Sequence, residues 1–134
     1  MIGRFTSMNV TSYYPVFYAE DLEAEAKRYT EDLGFTIKHK TEVKDLQYYI
    51  LENNGNRIDL VHTTISHLPF SSGYYGIRVN VDNFEEGLTY FKNQGMTPEG
   101  EIRETDSARS VVLIGHDGSR IILFQHMKPG VIYF

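Results

Sequence analysis

Apolar residues recur at helical spacing in two segments of the chain, and each segment predicts an amphipathic helix. The stripe residues are Leu22, Ala26, Tyr29 and Leu33 in the first segment, and Phe84, Leu88 and Phe91 in the second. Asp21 and Asn83 immediately precede the stripes, where N-cap residues belong. Gly34 and Gly95 follow them, where a helix end favours a left-handed residue.

Short apolar runs flank both helices and predict strands. Residues 46–52 (LQYYILE) and 110–114 (SVVLI) each lead through a Gly-containing turn into another apolar run, as in a hairpin. The predicted strands lie near 13–19, 35–41, 46–52 and 57–62 in the first half, and near 76–81, 97–103, 109–115 and 120–126 in the second.

The two halves repeat each other at a nearly constant offset. The matching pairs are Asp21 and Asn83 (62 apart), Gly34 and Gly95 (61 apart), and Arg57 and Arg120 (63 apart). Each half therefore reads β-α-β-β-β. We expect one domain over residues 1–134, in which module 10–63, linker 64–73, module 74–126 and a C-terminal tail 127–134 follow one another.

Composition narrows the function classes. The chain has 134 residues, no Cys and a net charge of −5, with Lys and Arg scattered along it. Disulfides and thiolate chemistry are excluded. Because phosphate recognition needs a concentrated basic face, we expect no nucleic-acid partner. No apolar run approaches the length of a membrane span, so we expect no membrane partner and a cytoplasmic protein.

The duplicated module resembles the vicinal oxygen chelate superfamily, also called the glyoxalase/bleomycin-resistance/dioxygenase superfamily. The residues that carry the resemblance are Asp21-Leu22, Tyr29, Leu33-Gly34-Phe35 and the closing hairpin Asp117-Gly118-Ser119-Arg120-Ile121. It spans about residues 10–126 and implies an α+β fold, in which two tandem βαβββ modules form a cupped mixed sheet with the helices on its outer face. In metal-using members, four inward side chains surround a divalent ion that acts as a Lewis acid.

Strand alternation maps those four ligand positions onto this chain. They fall on Tyr14, Asp59, Gly76 (Tyr75 in the neighbouring register) and Ile122. Asp59 alone has a side chain typical of a divalent-ion ligand. The five His residues show no paired ligand spacing. We therefore predict no metal site, no cofactor and no catalytic residue.

The same alternation predicts a mostly apolar and aromatic ligand-binding face, which is the usual make-up of a small-molecule site. Its predicted residues are Tyr14, Val16, Tyr18, Asp59, Arg78, Asn80, Ile122 and Phe124. A buried carboxylate is costly unless it is paired, so we expect Asp59 to meet Arg78, another donor or a cationic ligand. Arg57 and Arg120 share the inward parity but lie beside turns, where we expect them to reach solvent.

Tyr14-Pro15-Val16 resembles the opening of the metal-lacking bleomycin-resistance branch, whose members are homodimers. The resemblance implies a homodimer that binds a small molecule without metal, and that could sequester an antibiotic or another cationic or aromatic ligand. Two alternatives remain open, namely a metal-dependent lyase or dioxygenase of the same superfamily, and an interaction module without a ligand. The residue types at the ligand positions favour a binding protein over an enzyme.

Overall fold

Both predicted helices form, and their ends are capped as the sequence indicates. The structure is a computed structural model that describes residues 8–43, 46–63 and 73–127. Helix α1 runs over Leu22–Leu33 and α2 over Phe84–Asn93. Neither of these two helices is long and apolar enough to cross a membrane.

Side chains satisfy the first turn of each helix. Asp21 Oδ1 accepts a hydrogen bond from the Ala24 N–H, and Asn83 Oδ1 accepts one from the Glu86 N–H, both at 3.1 Å. Gly34 ends α1 at a φ of 73°, a left-handed conformation that glycine adopts without strain. The predicted N-caps and the cap at Gly34 are therefore confirmed, whereas α2 is capped at Gln94 and the left-handed Gly95, at a φ of 92°, follows one residue later.

The N-terminal module corresponds to a compact unit of residues 14–75. Its strands are β1 (Val10–Tyr18, which begins in the other unit), β2 (Thr36–Val43), β3 (Leu46–Asn53) and β4 (Asn56–Thr63), in the order β2-β3-β4-β1. The pairs β2–β3 and β3–β4 are antiparallel, whereas β4 and β1 are parallel. Helix α1 packs on one face, over a core of Ala19, Leu22, Ala26, Leu51, Ile58 and Leu60.

The C-terminal module corresponds to a unit of residues 1–13 and 76–134. Its strands are β5 (Gly73–Val81), β6 (Thr97–Pro98), β7 (Arg103–Glu104), β8 (Ala108–Ile114) and β9 (Arg120–His126). Strand β5 pairs with β9 in parallel, β9 with β8 antiparallel, and both β6 and β7 with β8. Helix α2 covers a core of Val79, Val81, Phe84, Leu88, Val111, Leu113 and Leu123.

The predicted strand over 97–103 forms as two short strands, β6 and β7, instead of one. Pro98 has no N–H to donate, and Gly100 turns the chain at a φ of 95°. Only the Glu99 N–H continues the ladder, with a 2.8 Å bond to the Val112 carbonyl. The strand is therefore interrupted at Pro98 and Gly100, the residues least compatible with a continuous strand.

Strand register confirms the internal repeat. Val16 of β1 pairs with Asp59 of β4, and Arg78 of β5 pairs with Ile122 of β9. Each module thus carries the same parallel pairing of its first and last long strands, within a mixed sheet. The α+β class and the two βαβββ modules are confirmed. Linker residues 64–72 and tail residues 128–134 lie outside the described residues.

A side-chain bridge ties α1 to β3 on the outer side of the N-terminal module. The Tyr49 hydroxyl donates to Glu23 Oε1, and Lys40 Nζ donates to the same oxygen at 3.3 Å. Burial, followed by the hydrogen bond to Glu23, raises the pKa of Tyr49 to about 12. The hydrogen bond from Tyr49 in turn lowers the pKa of Glu23.

Titration of Tyr49 predicts an alkaline loss of stability. Because the folded-state pKa lies above the usual value of about 10, the contribution is fully present below pH 10. It is lost as the pH rises through about 12. NMR of protein labelled at the tyrosine ζ-carbon should show Tyr49 titrating late, and Glu23→Gln should bring its pKa down. An unchanged Tyr49 pKa in Glu23→Gln would contradict the bridge.

Gly76 is required by close backbone packing between β5 and β9. A Cβ at this position would lie 2.6 Å from the carbonyl oxygen of Arg120, which belongs to the main chain and cannot rotate away. A Cβ at Gly87, on α2, would approach side-chain atoms, with Leu123 Cδ1 nearest at 2.9 Å, Leu123 Cδ2 at 3.4 Å and Val81 Cγ2 at 3.6 Å. An added methyl group would therefore meet immobile main-chain atoms at Gly76 but movable side-chain atoms at Gly87.

We predict that Gly76→Ala destabilises the protein by about 1–3 kcal/mol, because one strand must shift. Gly87→Ala is the matched control. It should stay within about 1 kcal/mol of the wild type, because alanine favours the helix and the Leu123 side chain can adjust. Urea unfolding measures both values. Equal stabilities for the two variants would show that β5 and β9 are not held at this spacing.

Candidate functional site

The sheet of the N-terminal module has a second face, opposite α1, which we call its helix-free face. Strand alternation and pairing place on it Tyr14, Val16, Tyr18, Tyr48, Ile50, Arg57, Asp59 and Val61. Most of these residues are apolar or aromatic, and Val16, Ile50 and Asp59 are buried. Arg57, Asp59 and the Tyr14 hydroxyl are polar groups of this face, and the register adds Glu52, His39 and Thr41 on β3 and β2.

Arg57 and Asp59 form a paired fork on this face. Nε of Arg57 donates to Asp59 Oδ1 at 2.9 Å, and Nη2 donates to Oδ2 at 3.2 Å. The two residues stand two apart on β4, so their side chains leave the strand on the same side. The Asp59 side chain is 3% exposed and that of Arg57 is 14% exposed. Both carboxylate oxygens thus accept from one largely buried guanidinium.

Tyr14 completes the cluster from the neighbouring strand. Nη1 of Arg57 donates to the Tyr14 hydroxyl at 3.0 Å. The guanidinium carbon also lies 3.8 Å from the centroid of the Tyr14 ring, within the range of a cation–π interaction. The guanidinium is therefore held along one edge by Asp59 and against one side by Tyr14.

These contacts settle two expectations from the sequence. Asp59 does meet a donor, Arg57, whose Nε and Nη2 reach both of its oxygens. The expectation that Arg57 reaches solvent is wrong, because a carboxylate two residues along the same strand draws its side chain inward. The i, i+2 spacing of Arg57 and Asp59 on a predicted strand was the available signal.

The residues that β3 and β2 place on this face were not included in the prediction from the sequence. Tyr48 and Ile50 lie opposite Val61 and Asp59 in the β3–β4 register, and both are buried. Their alternation within LQYYILE would have placed them on the same face as Asp59, had the middle strand been included with the first and last.

The helix-free face of the C-terminal module has a different polar cluster. Arg78 and Asn80 are both buried, and Arg78 Nε donates to Asn80 Oδ1 at 3.0 Å. The Arg78 guanidinium carbon lies 3.8 Å from the Phe124 ring centroid. Asn80 also donates from Nδ2 to Ser12 Oγ at 2.8 Å. Ile122 lies beside Arg78 in the strand register.

Arg120 repeats the position of Arg57 but has another partner. Its Nε and Nη2 donate to the two oxygens of Glu99, each at 2.9 Å, and the side chain is 11% exposed. The expectation that Arg120 reaches solvent is therefore wrong as well. Its partner Glu99 lies between β6 and β7, directly after Pro98.

The eight predicted site residues thus lie in two groups. Tyr14, Val16, Tyr18 and Asp59 share the helix-free face of the N-terminal module. Arg78, Asn80, Ile122 and Phe124 share that of the C-terminal module. Their role in ligand binding stays a prediction.

The residues at the superfamily's four metal positions do not fit a metal ion. Both oxygens of Asp59 accept from Arg57, and Ile122 has no donor atom. At Gly76, which the β5–β9 register supports over Tyr75, a side chain would run into the main chain of Arg120. Tyr14 accepts from the same guanidinium. Within residues 8–43, 46–63 and 73–127, no group of three or more His, Asp or Glu side chains could hold a metal.

Two histidines of the described residues, His62 and His126, make contacts with the protein itself. His62 Nδ1 lies 2.9 Å from the Ala19 carbonyl oxygen, and its ring stacks on Tyr18 at 5.6 Å between centroids. His126 lies edge-on to Phe124, at 4.9 Å between ring centroids. His67 lies outside the described residues.

A surface cavity of about 420 Å³ lies on the opposite side of the N-terminal module, along α1. Its lining residues are Asp21, Glu23, Ala24, Ala26, Lys27, Thr30 and Ile37. None of them belongs to the helix-free face. The cavity is therefore separate from the predicted site.

Comparison with known proteins identifies the fold. No protein-family model matches the chain, and neither does any curated protein. Methylmalonyl-CoA epimerase from Mycobacterium tuberculosis matches with a TM-score of 0.69 at 16% identity, over 91% of this chain and 92% of that one. A hypothetical protein from Bacillus halodurans C-125 matches with a TM-score of 0.69 at 13% identity, over 96% and 98%.

Streptomyces coelicolor methylmalonyl-CoA epimerase in complex with 2-nitronate-propionyl-CoA matches with a TM-score of 0.67 at 17% identity, over 89% of this chain and 98% of that one. At such low identity the likeness shows the fold alone. The chain has the fold of these epimerases, which is the fold of the vicinal oxygen chelate superfamily that the sequence resemblance predicted.

Proposed function

We propose that this protein binds a small organic molecule on its helix-free faces and does so without a divalent metal ion. The observation that carries the proposal is the fork from Arg57 to both oxygens of Asp59. Asp59 is the one plausible ligand among the four metal positions, and its charge is already balanced by a side chain of the same strand.

Electrostatics explain why a metal ion would be disfavoured. An ion bound to Asp59 would have to displace Arg57 or lie beside its guanidinium, because both cations need the same two oxygens. Displacement would leave a largely buried guanidinium without its partner, and breaking such a pair costs about 3–5 kcal/mol. Two neighbouring cations in a poorly solvated site would also repel each other.

The composition of the face supports a small-molecule role. Aromatic and aliphatic side chains surround a small number of fixed polar groups, as in many ligand sites. The fold supports it too, because methylmalonyl-CoA epimerases of this fold have been solved with methylmalonyl-CoA and with 2-nitronate-propionyl-CoA. Sequestration of an antibiotic and a homodimeric state, both implied by the bleomycin-resistance resemblance, are the finer parts of the proposal.

A metal-dependent enzyme is the second candidate, and the epimerase neighbours favour it. In that case Asp59 would exchange Arg57 for the ion, and ligands that alternation does not identify would complete the site. The two candidates differ in one measurable property, the affinity of the protein for divalent cations.

Metal analysis tests the proposal. Protein purified without chelator should contain no stoichiometric divalent ion by mass spectrometry of the metals. Its melting temperature should not rise with Mn²⁺, Co²⁺ or Zn²⁺, although an ion at 100 times its dissociation constant would add about 2.7 kcal/mol, on the order of 5–10 °C. A stoichiometric ion that is lost in Asp59→Asn but kept in Glu99→Gln would establish the metal enzyme instead.

A ligand screen tests the binding role. Aromatic compounds, including cationic antibiotics, should contain members that raise the melting temperature of the wild type. Val61→Lys, which places a charged chain on the half-buried rim of the helix-free face, should abolish that rise. Thr30→Lys, on α1, is the matched control and should preserve it. If no compound acts, or if Val61→Lys leaves every response unchanged, the proposed role is wrong.

A further inference from the structure

We infer that the ligand of the N-terminal module presents a planar oxygen acceptor, a carboxylate or a carbonyl group, to Arg57. This inference rests on the proposed function and assigns the chemical class that the helix-free face recognises. It differs from one of the alternatives drawn from the sequence, in which Asp59 meets a cationic ligand.

Arg57 has N–H donors that no described residue accepts from. A guanidinium has five N–H groups. Three of them are used, one on Nε and one on Nη2 by Asp59, and one on Nη1 by Tyr14. One N–H on each terminal nitrogen therefore has no acceptor among the described residues. These two donors lie on the part of the side chain farthest from β4, and the side chain keeps 14% of its surface exposed.

These two N–H donors of Arg57 are fixed in direction. Asp59 holds one edge of the guanidinium, and the Tyr14 ring lies against its plane, 3.8 Å from the guanidinium carbon. A long arginine side chain normally loses much rotamer entropy when it binds a ligand. Here the folded protein has already restricted it, so a ligand acceptor meets a preorganised fork.

Asp59 is poorly placed to attract a cation. The Asp59 side chain is only 3% exposed, and both of its oxygens accept hydrogen bonds from Arg57. The other carboxylate at this end of the sheet, Glu52, lies opposite Arg57 in the register, but it is 43% exposed and 3.8 Å from Lys38. The two cations and two carboxylates balance, so the local charge does not select a cationic ligand.

The other residues of the helix-free face indicate what the remainder of the ligand is like. Tyr18, Tyr48 and Ile50 are buried, and Val61 is half-buried beside Tyr18 and Tyr48 in the strand registers. Such a surface favours an apolar or aromatic group. The class that results is an apolar or aromatic molecule with a carboxylate or a carbonyl at one end.

Three probes with the same ring separate the possible head groups. They are phenylacetate, phenylacetamide and phenethylamine, which carry a carboxylate, a neutral carbonyl and an ammonium group. Each is titrated into the ¹⁵N-labelled full chain at constant ionic strength, and the Arg57 Nε–H signal and the β1 and β4 amides are followed by NMR. We expect saturable shifts of these signals with the acid, the amide or both, and none with the amine. The stronger of the two identifies the head group.

Substitution of the fork provides the control. Arg57→Lys keeps the charge but removes the paired donors, and it should weaken binding of the acceptor probe at least about tenfold. Arg120→Lys makes the same change at the repeated position in the other module and should leave the affinity unchanged. Because the wild-type Arg57 signal is itself a readout, the result does not depend on the folding of either variant.

The remaining outcomes overturn the inference. If phenethylamine alone shifts the face, and Asp59→Asn abolishes the effect, the ligand is cationic while metal-free binding still stands. If none of the probes moves the Arg57 signal, the fork is not a recognition element. The proposed function itself fails in different experiments, namely if metal analysis finds a stoichiometric ion or if no compound of the screen raises the melting temperature.

Discussion

The ion pair between Arg57 and Asp59 is the constraint on which the chemistry of the helix-free face depends. A carboxylate buried to this extent requires a partner. Arg57, two residues earlier on the same strand, supplies a guanidinium whose donors lie 2.9 and 3.2 Å from the Asp59 oxygens. The pair commits the charge of Asp59, fixes the orientation of Arg57 and positions the Tyr14 ring against it. The same contacts occupy both oxygens of Asp59 and leave one N–H on each terminal nitrogen of Arg57 without an acceptor among the described residues.

The duplicated modules keep one framework and differ in the chemistry placed on it. Both have a capped helix, an apolar core on the helix side and the same pairing of first and last long strands. On the opposite side the equivalent positions diverge, with Asp59 in one module and Ile122 in the other. The helix side is restrained by packing, whereas the helix-free side can change residue by residue, which is how one fold comes to serve many ligands.

Local signals predicted the framework because they act over a few residues. The caps at Asp21 and Asn83 and the alternation along β1 and β5 were predicted from the sequence, whereas the interruption after Pro98 was not, although Pro98 and Gly100 are local signals for it. The contacts of Arg57 and Arg120 were not predicted correctly, because a long side chain chooses among partners that only the folded strands bring near. Glu99, for example, is 21 residues from Arg120 along the chain. Solved neighbours at 13–17% identity show the fold alone and do not supply these contacts.

A double-mutant cycle between Arg57 and Asp59 tests the central claim most directly. The free energies of unfolding of the wild type, Arg57→Met, Asp59→Asn and the double variant are measured in urea, with chelator present so that no metal contributes. If Arg57 is the resident counterion of Asp59, the two substitutions should be coupled by about 1–3 kcal/mol, and the double variant should be less destabilised than the sum of the single ones. A coupling below about 0.5 kcal/mol would mean that the two charges act independently, and it would contradict the account.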